Sequence, residues 1–330
     1  MAAAVLFQGN QHGIDGAVPL VANVRVWAGN VAGTLAGHFG PREIKTIWGD
    51  RHELIVAGKN CREHIEAFGH FLRTALQRLE PPGPMVNGIC TLDVCLDVDH
   101  VVDDVVWNHQ AQRIEFGRYS PNSRFKEYAL SNTPEIVAKV LGKIYIDNHG
   151  GSQLPANEGE QGCLVNGNQS RALRESITDI FGIMFKHYQN RNGSDGVDWS
   201  LGKGIYREGE NIILRSMDHP TVEGTGTPQI GHANQFEQLP LEIDAGGIHL
   251  NSGIPNRAFQ LTAQEMDQPS WQRPGAIWLK AISRCKSGET FASFAGLTLD
   301  ACADIDERNA VNKAWKDVGI QAWNEMLPGE

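Results

Sequence analysis

Short apolar runs separated by turn residues dominate the first 120 residues, and this pattern is typical of β-strands. One helix is expected among the strands, because apolar residues recur at helical spacing from Ile65 to Leu79, before a proline-rich stop at 81–84. The runs that we assign to strands are residues 18–27, 44–48, 54–56, 89–98 and 114–116. The first part of the chain is therefore predicted to be rich in β-structure.

The later part of the chain follows the period of helices instead. Pro134 favours a helix start, and the apolar positions that continue to Ile144 predict a buried helix over about 134–147. Further stretches with helical spacing lie around 173–184 and 310–318. The second part of the chain is therefore predicted to be mainly helical.

This change of pattern divides the chain into two predicted lobes and indicates an α+β fold. A β-rich N-terminal lobe takes residues 10–150 and ends in the central helix, and a mainly helical C-terminal lobe takes residues 151–330. Residues 1–9 contain the run VLFQG, which looks like the remnant of a tag-cleavage site. We exclude those nine residues from the fold.

The composition limits the partners. With 330 residues that are 41% hydrophobic, the chain can bury a sizeable core. The net charge of -10 argues against nucleic acid as a partner. There is no apolar run of about eighteen residues and no signal-peptide pattern, so we expect no membrane partner. Localisation stays open between secreted and cytoplasmic.

Two segments of the second half resemble signature segments of the thermolysin-like zinc metallopeptidases. They are ALRESITDIFG at 172–182 and GGIHLNSGIPN at 246–256. The third signature of that family is a zinc-binding His-Glu-x-x-His helix, and the matching frame here carries Lys139, Val140 and Lys143. The resemblance covers residues 20–323 and implies a two-lobed thermolysin-like fold with a cleft at the junction of the lobes.

Neither lysine can bind zinc while it is protonated, since an ammonium group has three donors and no lone pair. A shifted motif is also excluded, because the only His-Glu pair is His52-Glu53 and Val56 stands where a second histidine is needed. The sequence therefore predicts a degenerate zinc site with no bound metal and no cofactor.

The resemblance implies roles for two carboxylates. Glu175 matches the third zinc ligand of the family, and Asp179 matches the carboxylate that supports a ligand histidine. Two carboxylates on an otherwise apolar helix are costly unless they are paired. We hypothesise that Lys139 and Lys143 face Glu175 and replace the charge of zinc. In the alternative, the lysines extend into water and Glu175 is solvated in an open cleft.

Other parts of a peptidase site are retained by resemblance. His249 matches the histidine that stabilises the oxyanion, Asp244 matches the residue that orients it, and Arg215 matches the arginine that contacts a substrate carbonyl. The stretch from Asp104 to Asn108 matches the edge strand that holds a substrate backbone. We therefore expect a substrate-binding cleft lined by Asp104, Val105, Trp107, Arg215 and His249.

Several positions depart from the family. Asn166 stands where a tyrosine stabilises the oxyanion, and the long interval between Lys143 and Glu175 predicts an inserted loop within 149–162. The positions that match the family's calcium site are Lys186, Ser200, Lys203, Glu135 and Asp198, of which only the last two keep a carboxylate. A lysine repels a divalent cation, so we expect no calcium there.

Three functions follow from this pattern. The leading interpretation is a thermolysin-like pseudopeptidase that binds a peptide or protein in the retained cleft. A second is a repurposed enzyme that uses Lys139 or Lys143 with Glu175 and His249, because neighbouring lysines and burial lower an amine pKa. A third is an active metallopeptidase with displaced ligands such as His149 and Glu175. Whether the chain is an enzyme stays open at this point.

Overall fold

The computed structural model describes residues 23–28, 52–76, 85–86, 89–102, 104–118, 120, 122–149, 167–191, 197–207, 212–221 and 224–322. The described strands are β1 (Asn23–Ala28), β2 (Met85–Val86), β3 (Ile89–Val102), β4 (Val105–Asn108), β5 (Arg113–Arg118), β6 (Ser200–Leu201) and β7 (Arg215–Ser216). The described helices are α1 (His52–Thr74), α2 (Ala129–Asn132), α3 (Pro134–His149), α4 (Asn168–Gln189), α5 (Asp244–Asn251), α6 (Gly253–Glu265), α7 (Arg273–Ile282), α8 (Phe291–Ala301) and α9 (Ile305–Asp317).

The N-terminal part contains a mixed sheet whose main path runs β1, β3, β5, β4. β1 and β5 both pair with β3 in parallel, β4 pairs with β5 antiparallel, and β2 pairs with β3 antiparallel. The positions of the sheet that face the core are apolar, and Val24, Val26, Leu92 and Val94 are fully buried. β4 has β5 as its one neighbour among the described strands, so within the described part of the chain its other side is an edge.

One strand prediction is wrong. Residues 54–56 lie in α1, which extends from His52 to Thr74, rather than in a strand. The run Leu54-Ile55-Val56 is too short for its period to distinguish the two states, and its continuation toward Phe68 and Phe71 buries one face of a helix. The predicted strand at 44–48 lies outside the described residues.

The central helix is confirmed, and it is slightly longer than predicted. α3 extends to His149 and packs along α4. The two helices approach closely where each has a glycine: a Cβ atom on Gly142 would lie 2.7 Å from the Phe181 ring, and one on Gly182 would lie 2.8 Å from the Glu135 carbonyl oxygen. This close crossing places the polar faces of both helices beside one cleft.

Helices α4 to α9 form the C-terminal part around a core rich in aromatic residues. Trp278 of α7 and Trp315 of α9 stack with their ring centroids 6.1 Å apart, and Phe259 of α6 contacts Trp278 edge to face. None of the described helices combines the length and apolarity that crossing a membrane requires. The predicted α+β architecture is therefore confirmed, with the sheet in the N-terminal part and helices after it.

Candidate active site

A cleft of about 920 Å³ lies where α3, α4 and α5 meet β4. The close crossing of α3 and α4 supplies one wall, and the stretch 104–106 supplies the rim opposite. It is lined by nearly all of the side chains that the sequence singled out, namely Asp104, Val105, Lys139, Val140, Lys143, Glu175, Arg215, Asp244 and His249. The fold thus gathers residues separated by up to 145 positions into one site.

Asp179 lies beneath the cleft floor and is fully buried. Its carboxylate forms an ion pair with Lys139 and accepts two hydrogen bonds from Nη1 of Arg215, both at 2.6 Å. The side-chain amide of Asn256 donates a further hydrogen bond to Oδ2 at 2.9 Å. One buried carboxylate is therefore shared by two cations, and the ammonium group of Lys139 is directed to Asp179 rather than to Glu175.

Glu175 lies one turn before Asp179 on α4 and contacts a histidine. Its Oε2 is 3.5 Å from Nε2 of His249, and Nδ1 of the same ring is 2.6 Å from Oδ1 of Asp244. The other Asp244 oxygen accepts the backbone N–H groups of His249 and Leu250. Asp244 therefore fixes the position of the imidazole, and the ring connects the two carboxylates.

These contacts change the pKa values of His249 and Glu175. Burial opposes the charged form of His249, but the hydrogen bonds to Asp244 and Glu175 outweigh it and raise the pKa of the imidazole. Burial also disfavours ionised Glu175, yet the hydrogen bond from His249 and the positive charges of His249, Lys139 and Lys143 lower its pKa well below the ordinary value. Both shifts favour the pairing of an imidazolium with a carboxylate.

The two lysines differ in their surroundings. Burial and the neighbouring Arg215 guanidinium lower the pKa of Lys139 well below its ordinary value. Lys143 lies one turn later and acts through space on Glu175 and on Asp104, but it forms no ion pair with a carboxylate of the described chain. The hypothesis that both lysines face Glu175 is therefore corrected for Lys139, because Asp179 lies closer to its ammonium group.

The segment that carries Asp244 has an unusual backbone. The four residues from Asp244 to Gly247 all have positive φ, between 49° and 90°. Two of them are glycines, for which this region carries no steric cost, whereas Ala245 at φ 49° is strained. The turn directs the Asp244 carboxylate back onto the N-terminus of the following helical turn, where it meets His249.

The edge strand lies at the cleft, but one of its predicted side chains does not line it. Val105 lines the cleft, and its backbone N–H donates to Oδ1 of Asp104 at 2.7 Å. Trp107 instead points into the core, is 7% exposed, and donates from its indole N–H to Nδ1 of His109 at 3.2 Å. The expectation that Trp107 lines the cleft is corrected, because its ring is buried in the main core, against which Val105 on the same face of the strand also packs.

The donor set around Glu175 does not suit zinc. Within the described part of the chain, no group of three or more His, Cys, Asp and Glu side chains is placed to hold a metal ion. Lys139 and Lys143 carry no lone pair while protonated, and Asp179 is already used by two cations. The side chains of His149 and Asn166, and the predicted insertion at 149–162, lie outside what the structure describes.

A second lysine cluster lies at the positions that match a calcium site. Nζ of Lys186 donates to Oδ2 of Asp198 at 2.8 Å and to the carbonyl oxygen of Ser200 at 2.6 Å. Glu135 is buried and accepts from the backbone N–H of Gly202 at 3.2 Å. Lys203 is exposed. An ammonium group therefore lies against Asp198 and the carbonyl oxygen of Ser200, which does not suit a hard divalent cation at these donors.

The sequence reasoning missed two contributors. Asn256 belongs to the second signature segment, so its position in that motif could have identified it as a partner of Asp179. Arg124 lines the cleft, stacks over the rings of Phe125 and Tyr206, and donates to the carbonyl oxygen of Gly226. No local pattern marks Arg124, because only the tertiary fold brings its loop to the cleft.

Comparisons with known proteins agree with this architecture. Residues 163–320 match the family profile described as the thermolysin metallopeptidase, alpha-helical domain. The fold is similar to the precursor of protealysin, a metalloproteinase from Serratia proteamaculans, with a TM-score of 0.67 and 24% sequence identity over 89% of this chain and 84% of that one.

Two bacterial proteases are similar in sequence to about half of this chain. Protease PrtS of Photorhabdus sp. (strain Az29) is 34% identical over 168 residues, which are 48% of this chain and 45% of that protein. An extracellular metalloprotease of Pectobacterium carotovorum subsp. carotovorum is 35% identical over 181 residues, or 52% of this chain and 51% of that protein. The chain thus spans about half the length of these relatives, and the resemblance noted in the signature segments is confirmed.

Proposed function

We propose that this chain, which is related to the thermolysin-like metallopeptidases through its fold and its helical domain, binds a peptide in the retained cleft without zinc-dependent hydrolysis. The observation that carries the proposal is the shared ion pair of Lys139, Arg215 and Asp179. Lys139 stands where the resemblance places a zinc-binding histidine, and the ion pair with Asp179 supports a cleft that is held together by protein cations rather than by a metal.

The loss of zinc chemistry follows from the donors. Zinc sites of hydrolytic enzymes use three protein ligands, which are imidazoles, thiolates or carboxylates, and leave a position for water. Of the matching positions, Glu175 alone offers a lone pair, and its carboxylate contacts His249. Val140 stands in the position of the general base and is an apolar residue without a proton acceptor. We therefore derive no hydrolytic step through a metal.

The case for a peptide rests on the cleft and its rim. An edge strand can add an extended peptide through backbone hydrogen bonds, and β4 provides such an edge beside the cleft. Arg215 uses Nη1 for Asp179, while its buried Nε has no hydrogen-bond partner in the described part of the chain. Next to the cleft residue Leu239, the side chains of Leu241 and Ile243 are 68% and 54% exposed, so the rim can contact apolar side chains of a ligand.

The test of peptide binding uses a pool of capped octapeptides with random sequence and a bulky substitution that fills the cleft. Thr227 lines the cleft, so Thr227→Trp is expected to weaken binding of the pool by about tenfold or more, which corresponds to about 1.4 kcal/mol. The matched control is Val197→Trp, on a side chain 67% exposed and away from the cleft. Equal affinity of both variants for the pool would place any binding elsewhere on the surface.

The test of catalysis is independent of that experiment. We expect the purified protein to contain no stoichiometric zinc. We also expect it to leave a library of fluorescence-quenched peptides uncleaved when zinc is added. The combined change Lys139→His, Val140→Glu and Lys143→His is expected to restore zinc binding more readily than hydrolysis, since it supplies two imidazoles beside Glu175. Chelator-sensitive cleavage by the unmodified protein would support the third interpretation, an active metallopeptidase with displaced ligands.

One observation favours the repurposed enzyme as a second candidate. The lowered pKa of Lys139 makes its neutral amine more accessible near neutral pH than that of an ordinary lysine. A lysine nucleophile would attack a carbonyl carbon, lose water and form an imine. Borohydride reduction in the presence of small aldehydes and ketones would trap that adduct on Lys139. Labelling that is no faster than on exposed Lys203 would dismiss this candidate.

A further inference from the structure

Two cations in the cleft have no carboxylate partner in the described chain. Lys143 acts on Glu175 and Asp104 through space without forming an ion pair with either. Arg124 is exposed, donates to the carbonyl oxygen of Gly226 at 3.2 Å, and forms no ion pair with a described carboxylate. Both side chains line the same cleft.

The carboxylates of the same cleft, in contrast, are already engaged. Glu175 and Asp244 both contact His249, and Asp104 accepts the backbone N–H of Val105. Asp179, beneath the floor, is held by Lys139 and Arg215. A ligand therefore meets Glu175 and Asp244 paired with His249, Asp104 bound by a backbone N–H, and two cations that form no ion pair within the described chain.

The balance of charge points in the same direction. Four basic side chains line the cleft, namely Arg124, Lys139, Lys143 and Arg215, and three carboxylates face them, namely Asp104, Glu175 and Asp244. Buried Asp179 adds one negative charge behind the wall. The raised pKa of His249 adds positive charge to the wall itself. An anionic group placed beside Lys143 would give that ammonium group the ion pair that it lacks within the described chain.

We propose that the ligand of this cleft is an acidic peptide, whose side-chain carboxylate is bound by Lys143 while Arg124 contacts a second acidic group along the same cleft. This inference rests on the proposed peptide-binding function and names the chemistry of its ligand. A charge-assisted hydrogen bond to a carboxylate is stronger than a neutral one, and it gains strength in a partly enclosed site.

Long-range attraction cannot account for such a preference. The whole chain carries a net charge of -10, so its overall field repels acidic peptides. A preference for acidic peptides would therefore have to come from cations inside the cleft. This separates a local contact with Lys143 from general electrostatic steering.

The experiment compares three pools of capped octapeptides with random flanks and a fixed central residue: Asp, Asn or Lys. Affinities are measured by fluorescence anisotropy for the unmodified protein and for Lys143→Gln, Lys143→Arg and Arg124→Gln. The control for net charge is Lys59→Gln on α1, whose side chain is 65% exposed and pairs only weakly with Glu63 at 3.8 Å.

We expect the Asp pool to bind about tenfold more tightly than the Asn pool, and the Lys pool to bind most weakly. Lys143→Gln should abolish the difference between the Asp and Asn pools, whereas Lys143→Arg and Lys59→Gln should retain it. Arg124→Gln should weaken the Asp pool by less than Lys143→Gln does, because Arg124 is exposed.

The outcomes distinguish the two proposals. If the Asn pool binds as tightly as the Asp pool, and Thr227→Trp still weakens both, the cleft binds peptides but the acidic preference is overturned. If Lys143→Gln keeps the full preference for Asp, the site of recognition is overturned. If none of the pools binds, both the acidic ligand and the peptide-binding function fail.

Discussion

Lys139 and Lys186 both stand at positions that the sequence resemblance matches to metal ligands, yet their surroundings differ. Lys186 meets one carboxylate, Asp198, and its other hydrogen bonds go to Ser200. Lys139 is half-buried, with 14% of its side chain exposed, and shares Asp179 with Arg215. The first cluster has one cation for one carboxylate, and the second has two cations for one carboxylate.

Their ionisation reflects this difference. Burial acts against ionised Asp198, but the bonds from Lys186 and Ser200 prevail and lower the pKa of Asp198 to about 2. At Lys139, by contrast, burial and Arg215 both act against the ammonium form. The Lys186 cluster is thus electrostatically closed, whereas in the cleft cluster two basic groups compete for one carboxylate. A buried cluster that is not arranged for stability alone is the better candidate for a functional site.

The largest effect that would test this comparison is expected at the two aspartates. Asp179→Asn leaves Lys139 and Arg215 buried without a counter-charge, so we expect a loss of about 3–5 kcal/mol in the free energy of unfolding. Asp198→Asn acts on a side chain that is 46% exposed, and solvent screening limits its loss to about 1 kcal/mol or less. Urea denaturation of both variants measures the difference, and equal losses would contradict the comparison.

We expect the pH dependence of stability to come mainly from His187 and Asp198, beside Lys186. His187 is buried between Ser270 and the carbonyl oxygen of Asp198, and burial lowers its pKa to about 4. A histidine whose pKa is lowered by folding contributes its full stabilisation above its pKa in the unfolded state, which is about 6.5. That stabilisation is lost as the pH falls toward 4.

The lowered pKa of His187 corresponds to a loss of at most about 3 kcal/mol in the free energy of unfolding between about pH 6.5 and pH 4. Asp198, whose pKa is lowered, contributes stability above about pH 4 that is lost as the pH falls toward 2. Urea midpoints measured from pH 7 to pH 3 should fall less steeply for His187→Gln than for the unmodified protein. An unchanged slope would show that His187 is not the titrating group.

A smaller effect is expected when each lysine is replaced by methionine. Lys186→Met removes the cation that pairs with Asp198, and we expect a loss of about 1 kcal/mol in the free energy of unfolding. Lys139→Met leaves Asp179 with Arg215 and Asn256, so we expect stability to be unchanged or raised by about 1 kcal/mol. Thermal melts at pH 7 measure both changes. A marked loss for Lys139→Met would show that the shared ion pair is mainly structural.

The smallest effect concerns calcium. Because the ammonium group of Lys186 lies among the oxygen donors, we expect added calcium or a chelator to leave the melting temperature of the unmodified protein unchanged. Lys186→Glu would place a third carboxylate near Glu135 and Asp198 and should make the melting temperature depend on calcium. A calcium shift in the unmodified protein would overturn the assignment of Lys186 as the substitute cation.

Some features were predictable because they depend on local pattern. The apolar period from Pro134 to Ile144 located α3, and the signature around Glu175 located the face of α4 that borders the cleft. The contact between Asp244 and His249 also followed, since the motif keeps the two residues five positions apart on one turn. The short run at 54–56 was assigned to a strand although it lies in α1, because three apolar residues fit a strand and a helix equally well.

The sequence by itself determined that Lys139 and Lys143 cannot donate lone pairs while protonated, because that property belongs to the side chain in any fold. Only the tertiary structure decided that Lys139 pairs with Asp179 while Lys143 remains without an ion pair in the described chain. The choice depends on differences of a few ångströms between α3 and α4, which are set by the close contact at Gly142 and Gly182. Coulomb energies in a buried site change steeply over such distances, and neither distance nor burial is encoded in spacing along the chain.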